Sequence, residues 1–192
     1  MSDILTIDTA VAAGLKQPEQ KVEPLNVFDD RNPLLSVAIP EFKGQLPNPD
    51  MTMLAKRLKF TMKLYSGLGL AANQCGIKER VFVIGTEQFQ LVCINPKVIA
   101  QSETIVKDNE GCLSFPAFFI HVSRPEWIEV EFTDETGETK QTKLEGLTAR
   151  CFLHELDHLN GIKFTSYVGA VAIQQAKRKQ EKLIKKIVRR KK

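Results

Sequence analysis

Histidine and tryptophan are scarce in this 192-residue chain, with three and one, and its four cysteines form no C-x-x-C pair. That spacing excludes a redox dithiol or a zinc ribbon built on paired cysteines. A chain of this length has core enough to fold without disulfide staples. Cys75, Cys93, Cys112 and Cys151 therefore read as free thiols, or one of them as a metal ligand. No apolar run approaches the roughly 18 residues of a transmembrane helix, so no membrane is expected among the partners. Residues 1–25 lack arginine and have no basic flank ahead of a long apolar stretch, so neither a secretory leader nor a transit peptide is expected, and the expected compartment is the cytoplasm. Acids are missing from one place only. From Gln174 to Lys192 there are ten bases and one acid, a net +9, whereas the rest of the chain carries −5. A mildly acidic body thus bears a basic C-terminal appendage.

Residues 1–50 are broken by six prolines and read as loop and extended segments, with residues 1–25 a flexible N-terminal extension. Leu54, Leu58, Met62 and Tyr65 recur at helical spacing and predict a helix over 50–65 capped by Asp50. Strands are expected at 80–84, 90–94 and 98–105, followed by a loop at 107–110 that leads into Gly111-Cys112. Alternation over 127–133, the turn at Gly137 and the return over 139–144 predict a hairpin. A second helix is expected over 148–159, stopped by Asn160-Gly161, and a third from about Ala170 to the end. Neither repeats nor a long linker divide the chain. A domain over 26–170 with the basic helix 171–192 packed on it is the expected organisation.

The chemistry centres on His154-Glu155-Leu156-Asp157-His158. At about 100° per residue the two histidines share a helix face one turn apart, so both imidazoles reach one cation. Glu155 sits beside that face, where its carboxylate can take a proton from a water on the cation. With three His and fifteen Glu in the chain, the pattern arises by chance in roughly 0.4% of such sequences. The plainer alternative is a pair of surface histidines, but Phe152, Leu153, Leu156 and Leu159 make the helix apolar on most sides.

Two histidines need a third ligand. A third histidine six residues on is absent, since position 164 is Phe. The only later carboxylate of the Glu type, Glu181, lies in the basic tail, and His121 follows an apolar stretch that suits a structural role. The cysteines remain, Cys112 among them, where Glu110-Gly111 leads into an apolar segment. A Cys-His-His set plus water suits zinc or iron.

Three segments together carry a family resemblance: Gly67-Leu68-Gly69-Leu70-Ala71-Ala72-Asn73-Gln74, then Glu110-Gly111-Cys112-Leu113-Ser114, then the histidine motif. In order and spacing they resemble the signature motifs of peptide deformylases, over about residues 30–170. The resemblance implies an α+β fold with antiparallel β-sheets around a central metal-binding helix and a C-terminal helix. It implies removal of the formyl group from N-terminal formylmethionine of nascent polypeptides, by attack of a metal-bound water. Cys112, His154 and His158 would hold one divalent metal, Fe(II) in the cell, with Zn(II), Ni(II) or Co(II) able to replace it. Glu155 would be the general base and then the acid, with the Gln74 amide and the Leu113 backbone N–H stabilising the oxyanion. Leu68, Gly69, Glu110 and Gly111 would pair with the substrate backbone, and Leu147 and Cys151 would line the methionine pocket. The tail would meet the ribosome, and the enzyme would act as a monomer. The chain departs from the family pattern at Ser66, Phe118-Phe119, Leu153 and Ser166.

Overall fold

The computed structural model describes residues 21–190 apart from Glu87. Of the expected N-terminal extension, residues 1–20 lie outside the described residues, as do the last two residues of the expected third helix. Residues 23–25 already lie on the body: Leu25 is buried and its N–H donates to Thr61 Oγ1 at 2.8 Å.

Helix α1 spans Pro49–Leu64. Its cap is Asn48 rather than the expected Asp50, because Asn48 Oδ1 accepts from the N–H groups of both Asp50 and Met51. Pro49 fits the first helical position, whose N–H needs no partner, and Asp50 adds a negative charge to the first turn. The glycine-rich run that follows becomes a short strand β1 (Gly69–Ala71) and a 3-10 turn (Ala72–Cys75). Strand β2 (Val81–Gly85) and the long β3 (Gln90–Gln101) come next. The two strands expected at 90–94 and 98–105 are one strand to Gln101. Its ladder shifts register on both sides of Lys97-Val98, next to Asn95, whose φ is +50° and whose side chain exchanges hydrogen bonds with the Phe42 backbone.

The expected loop at 107–110 is instead inside a strand, β4 (Ile105–Cys112), paired antiparallel with β5 (Phe115–Pro125). Strands β6 (Trp127–Thr133) and β7 (Thr139–Glu145) form the expected hairpin. Helix α2 covers Gly146–Leu159, beginning two residues earlier than expected, and α3 covers Ala170–Arg190. Antiparallel sheets with three helices make this an α+β fold.

The larger sheet runs β1-β2-β3-β6-β7. It is covered on both faces, so β2 is apolar at successive positions rather than alternating. Val81 and Val83 face Leu58 and Met62 of α1. Phe82 and Ile84 face α2, where Phe82 and Phe152 meet edge to face at 5.0 Å. Helix α2 ends in a left-handed glycine: Gly161 has φ +73°, and the Ile162 N–H closes back on Asp157 O at 2.9 Å. The β4–β5 ribbon packs Phe118, Ile120 and Val122 against Phe164, in a 3-10 turn after α2, and Ala176 of α3. Among the described residues, β1 is an edge of the large sheet and β4 pairs with β5 alone. Helix α2 packs against β1 and β2 and meets β4 and β5 through His158 and Arg150.

Among the described residues, no helix is long and apolar enough to cross a membrane.

Candidate metal centre and active site

His154 and His158 stand one turn apart on α2, with ring centroids 4.9 Å apart and nearly perpendicular planes. Cys112, at the end of β4, reaches over them, its Sγ 3.2 Å from His158 Nε2. One ligand atom from each of Cys112, His154 and His158 lies within 4.8 Å of the others. Cys112 was expected in a loop. Cys112 lies two residues after the inward-facing Glu110, so strand alternation sets its thiol on the side of the helix.

The orientation of His154 is set from behind. Its Nδ1 donates to Glu110 Oε2 at 3.0 Å, which leaves Nε2 buried, without a partner and facing the cluster. A carboxylate behind a histidine is the usual support for a metal ligand, since it selects the tautomer and raises the basicity of the other nitrogen. Burial works against a charge on His154, yet the Cys112 sulfur and Glu110 push its pKa up to about 10. Burial and the nearby His154 hold His158 well below the usual histidine range, and it stays neutral. The three groups therefore offer a site that draws positive charge, and the orphaned His154 Nε2 gives it a place. The residues fit a divalent cation of the kind that thiolate and imidazole ligands bind tetrahedrally.

Glu155 is fully enclosed on the same side. Burial pushes its carboxyl up to about 7, with the Glu110 charge adding and His154 opposing. Its Oε2 has no hydrogen-bond partner. The close approach of β1 requires glycine at position 69, because a Cβ there would lie 2.3 Å from Glu155 Oε1.

Gln74, in the 3-10 turn after β1, does two things. Its Oε1 accepts the Ala71 N–H at 2.9 Å, which fixes the amide. Its Nε2 consequently points across the cavity, 3.5 Å from Cys112 Sγ and 3.2 Å from Ser114 Oγ. Leu113 follows Cys112, and its side chain closes over Gly67, where a Cβ would lie 2.9 Å from Leu113 Cδ1.

Every site residue named from the sequence except His158 lines one cavity of about 600 Å³. His158 lies beneath it, 1% exposed. Leu147 stands at the mouth, while the Cys151 thiol lies deeper, its pKa raised by burial and Glu155 to about 12. At neutral pH Cys151 is thus a plain apolar wall. Glu110 has a second part to play beside the backbone pairing expected of it. Its side chain turns inward to the ion network, leaving only its backbone to face a peptide. His121, set aside as structural, is exposed on the outer face of β5.

Four residues around the site carry a role that the motifs did not reveal. Arg124 grips Glu110 with two hydrogen bonds, at 2.6 and 3.0 Å, and reaches Asp157 Oδ2 at 2.9 Å. Arg150 donates to Glu110 Oε1 and to the carbonyls of Val122 and Val106. Tyr167 donates to Asp157 Oδ1, and its ring lies under the Arg124 guanidinium at 5.1 Å. Two carboxylates and two guanidiniums balance, so the charges are buried as a neutral set. Burial alone would raise the Glu110 carboxyl, but His154 and Arg124 hold it down at about 2. Arg124 had a readable signal: it follows Ile120 and Val122 at the inward period of β5.

A Cys-His-His cluster with a buried carboxylate beside it, open to a cavity, is the arrangement of a metallohydrolase. The family model described as polypeptide deformylase matches residues 24–175. The chain is 35% identical over 165 residues to a peptide deformylase of Synechococcus sp. (strain RCC307), covering 83% of this chain and 79% of that one. To a peptide deformylase of Rhizobium meliloti (strain 1021) it is 42% identical over 125 residues, 62% of this chain and 72% of that one. The crystal structure of a Synechococcus elongatus peptide deformylase superposes with a TM-score of 0.77 at 33% identity, covering 86% of this chain and 90% of that one. The Thermotoga maritima enzyme gives 0.73 at 31%, covering 77% and 99%. The chain belongs to the polypeptide deformylase family. It is accordingly a hydrolase that removes the formyl group from N-terminal methionine.

Proposed function

We propose that the chain deformylates nascent polypeptides in the cytoplasm as a monomer, using a divalent ion held by Cys112 Sγ, His154 Nε2 and His158 Nε2, with Fe(II) the ion in the cell. The observation that carries this reading is the buried, partnerless His154 Nε2 facing Cys112 and His158. Such an ion polarises a carbonyl and lowers the pKa of water toward neutrality. The rest is the work of the chain. Glu155, ionised, takes the proton from the attacking water, and once protonated it delivers that proton to the leaving amine. Its carboxyl of about 7 suits both roles. Gln74 Nε2, held in place through Oε1, donates to the formyl oxygen as charge develops there, and the Leu113 N–H is the second donor. The substrate backbone adds a strand between the edges of β1 and β4, pairing with Leu68 and Gly69 on one side and Glu110 and Gly111 on the other. Its methionine enters toward Leu147 and Cys151.

The test is formate release from a formyl-Met peptide by protein loaded with Fe(II), Ni(II), Co(II) or Zn(II), alongside metal content. Cys112→Ala is expected to lose at least about tenfold in metal affinity and to release no formate above background. Undiminished metal content in that variant would refute the ligand set.

Helix α3 supports a second element of the reading, docking to the ribosome. Its first half packs on β5 through Ile173 and Ala176, but Leu183, Ile184, Ile187 and Val188 are exposed. Beside them Lys182, Lys185, Lys186 and Arg189 recur at helical spacing on one stripe. Phosphate contacts by such bases are strongly salt-dependent. Because Ala176 belongs to the packed part, the informative truncation removes residues 182–192 only. It should weaken ribosome binding severalfold at low salt and leave turnover of a short formyl peptide intact. Equal ribosome affinity with and without the segment would refute this docking.

A further inference from the structure

Among the described residues, no exposed charged side chain lines the cavity. Glu110, Arg150, His154 and Glu155 are the charged residues that line the cavity, and all four are buried. The exposed part of the rim is largely apolar, with Tyr65, Leu68 at 41%, Phe119 at 50% and Leu147 at 59% exposed, beside the uncharged Ser66 and Asn109. Two of these side chains flank the path of a peptide strand. Gly111 and Phe119 are directly opposed in the β4–β5 ladder, so they share a sheet face. It is the outer face, because Phe118, Ile120 and Val122 are buried and Phe119 and His121 are exposed. The Phe119 ring lies across Gly111, where a Cβ would come within 2.6 Å of it. Phe119 thus supplies on β4 the side chain that Gly111 lacks. On the opposite rim Gly69 points inward at Glu155, so its neighbour Leu68 points outward.

We propose that Phe119, with Leu68 facing it, selects the residue that follows methionine in the substrate and favours an apolar or aromatic side chain there. The inference rests on the deformylase reading and on strand-like pairing of the peptide with Gly111. Side chains of an added strand alternate. If methionine enters toward Leu147 and Cys151 on α2, the next residue points outward. Cys112 marks the reacting end, and Gly111 is one step back along β4, so that next residue is the one opposite Gly111. Phe119 stands one strand further on, opposite Gly111 itself, and its ring, lying across the bare Cα of Gly111, is what reaches toward that residue. A charged side chain at that position would lose water against Phe119 and Leu68 and gain no exposed opposite charge among the residues lining the cavity.

The experiment compares kcat/KM for formyl-Met-Phe-Ser, formyl-Met-Leu-Ser, formyl-Met-Gly-Ser and formyl-Met-Asp-Ser. The native enzyme should prefer Phe or Leu over Asp by about tenfold. Phe119→Ala should reduce that ratio to about threefold or less, and Phe119→Arg should turn it toward Asp. A merely structural role for Phe119 would lower all four substrates together and leave the ratios as they are. A native enzyme indifferent to the second residue, or a ratio unchanged in Phe119→Ala, overturns the proposal while leaving deformylation standing. No formate from any of the four peptides would instead overturn the reading on which it rests.

Discussion

Replacing Glu155 with alanine is expected to lower kcat on a formyl-Met peptide by about 10³-fold while the protein keeps its metal and its fold. The expectation follows from where the carboxylate sits. It adjoins His154, faces the cavity and has an oxygen without a partner. It also packs against the bare Cα of Gly69, so removing it opens space rather than creating a clash. Burial raises its carboxyl to about 7, the range in which a group can both take and return a proton near neutral pH. The sign of the pH dependence follows. The base must be ionised to take a proton, so the rate should fall as pH drops through this group's pKa. A divalent cation beside the carboxylate favours its charged form, so in the metal-loaded enzyme the acid limb should lie below pH 7. The variant should lack that limb. Glu155→Gln, which keeps the shape and removes the base, should be as slow as Glu155→Ala. A glutamine variant within tenfold of the native rate would reject Glu155 as the base.

The histidine pair was legible because helical spacing is a local property: three intervening residues put two side chains on one face whatever surrounds them. Cys112 was not legible in that way. It reaches His158 from 46 positions away in the chain, a contact made by the end of β4, and only the family resemblance singled it out from the other cysteines. Strand β4 was misread as a loop for a related reason. Its segment Lys107-Asp108-Asn109-Glu110 is polar throughout, since its outward residues meet solvent and its one inward carboxylate meets arginines. Where a strand buries charge instead of hydrocarbon, period-2 alternation of polarity disappears. The same substitution of ion pairs for apolar contacts hid Arg150 and Asp157. By contrast, the β6–β7 hairpin buries an ordinary apolar stripe and α2 still sets Ala149, Phe152 and Leu159 against the large sheet, and both elements were found within two residues. The helix cap moved from Asp50 to Asn48 because Pro49 can start a helix, and its predecessor then takes the capping position.

Glu110→Gln tests the ion network, and it should cost about 3–5 kcal/mol of stability, the usual cost of removing one partner from a buried set of charges. At roughly 2–4 °C per kcal/mol for a chain of this size, the melting temperature should fall by about 6–20 °C. The residue accepts from three side chains at once: Arg124, Arg150 and His154. A neutral amide would leave two guanidiniums facing one remaining carboxylate, Asp157, in a space closed to water. It would also turn one donor-bearing nitrogen toward groups that only donate. The pH signature separates this from loss of packing. The folded carboxyl is held at about 2, below its ordinary value of 4.5. A depressed pKa contributes stability that is complete above the unfolded value and is lost as pH falls through the folded one. The native protein should therefore lose stability steeply between about pH 4.5 and 2, and the variant, already without that contribution, should have a shallower slope there. The metal site should feel the change as well. Without the carboxylate behind it, His154 loses the group that fixes its tautomer, and metal affinity should drop by about 10–100-fold. An unaltered melting temperature and an unaltered acid slope would mean that Arg124 and Arg150 find other partners, and the network would lose its claim to hold β4 and β5 against α2.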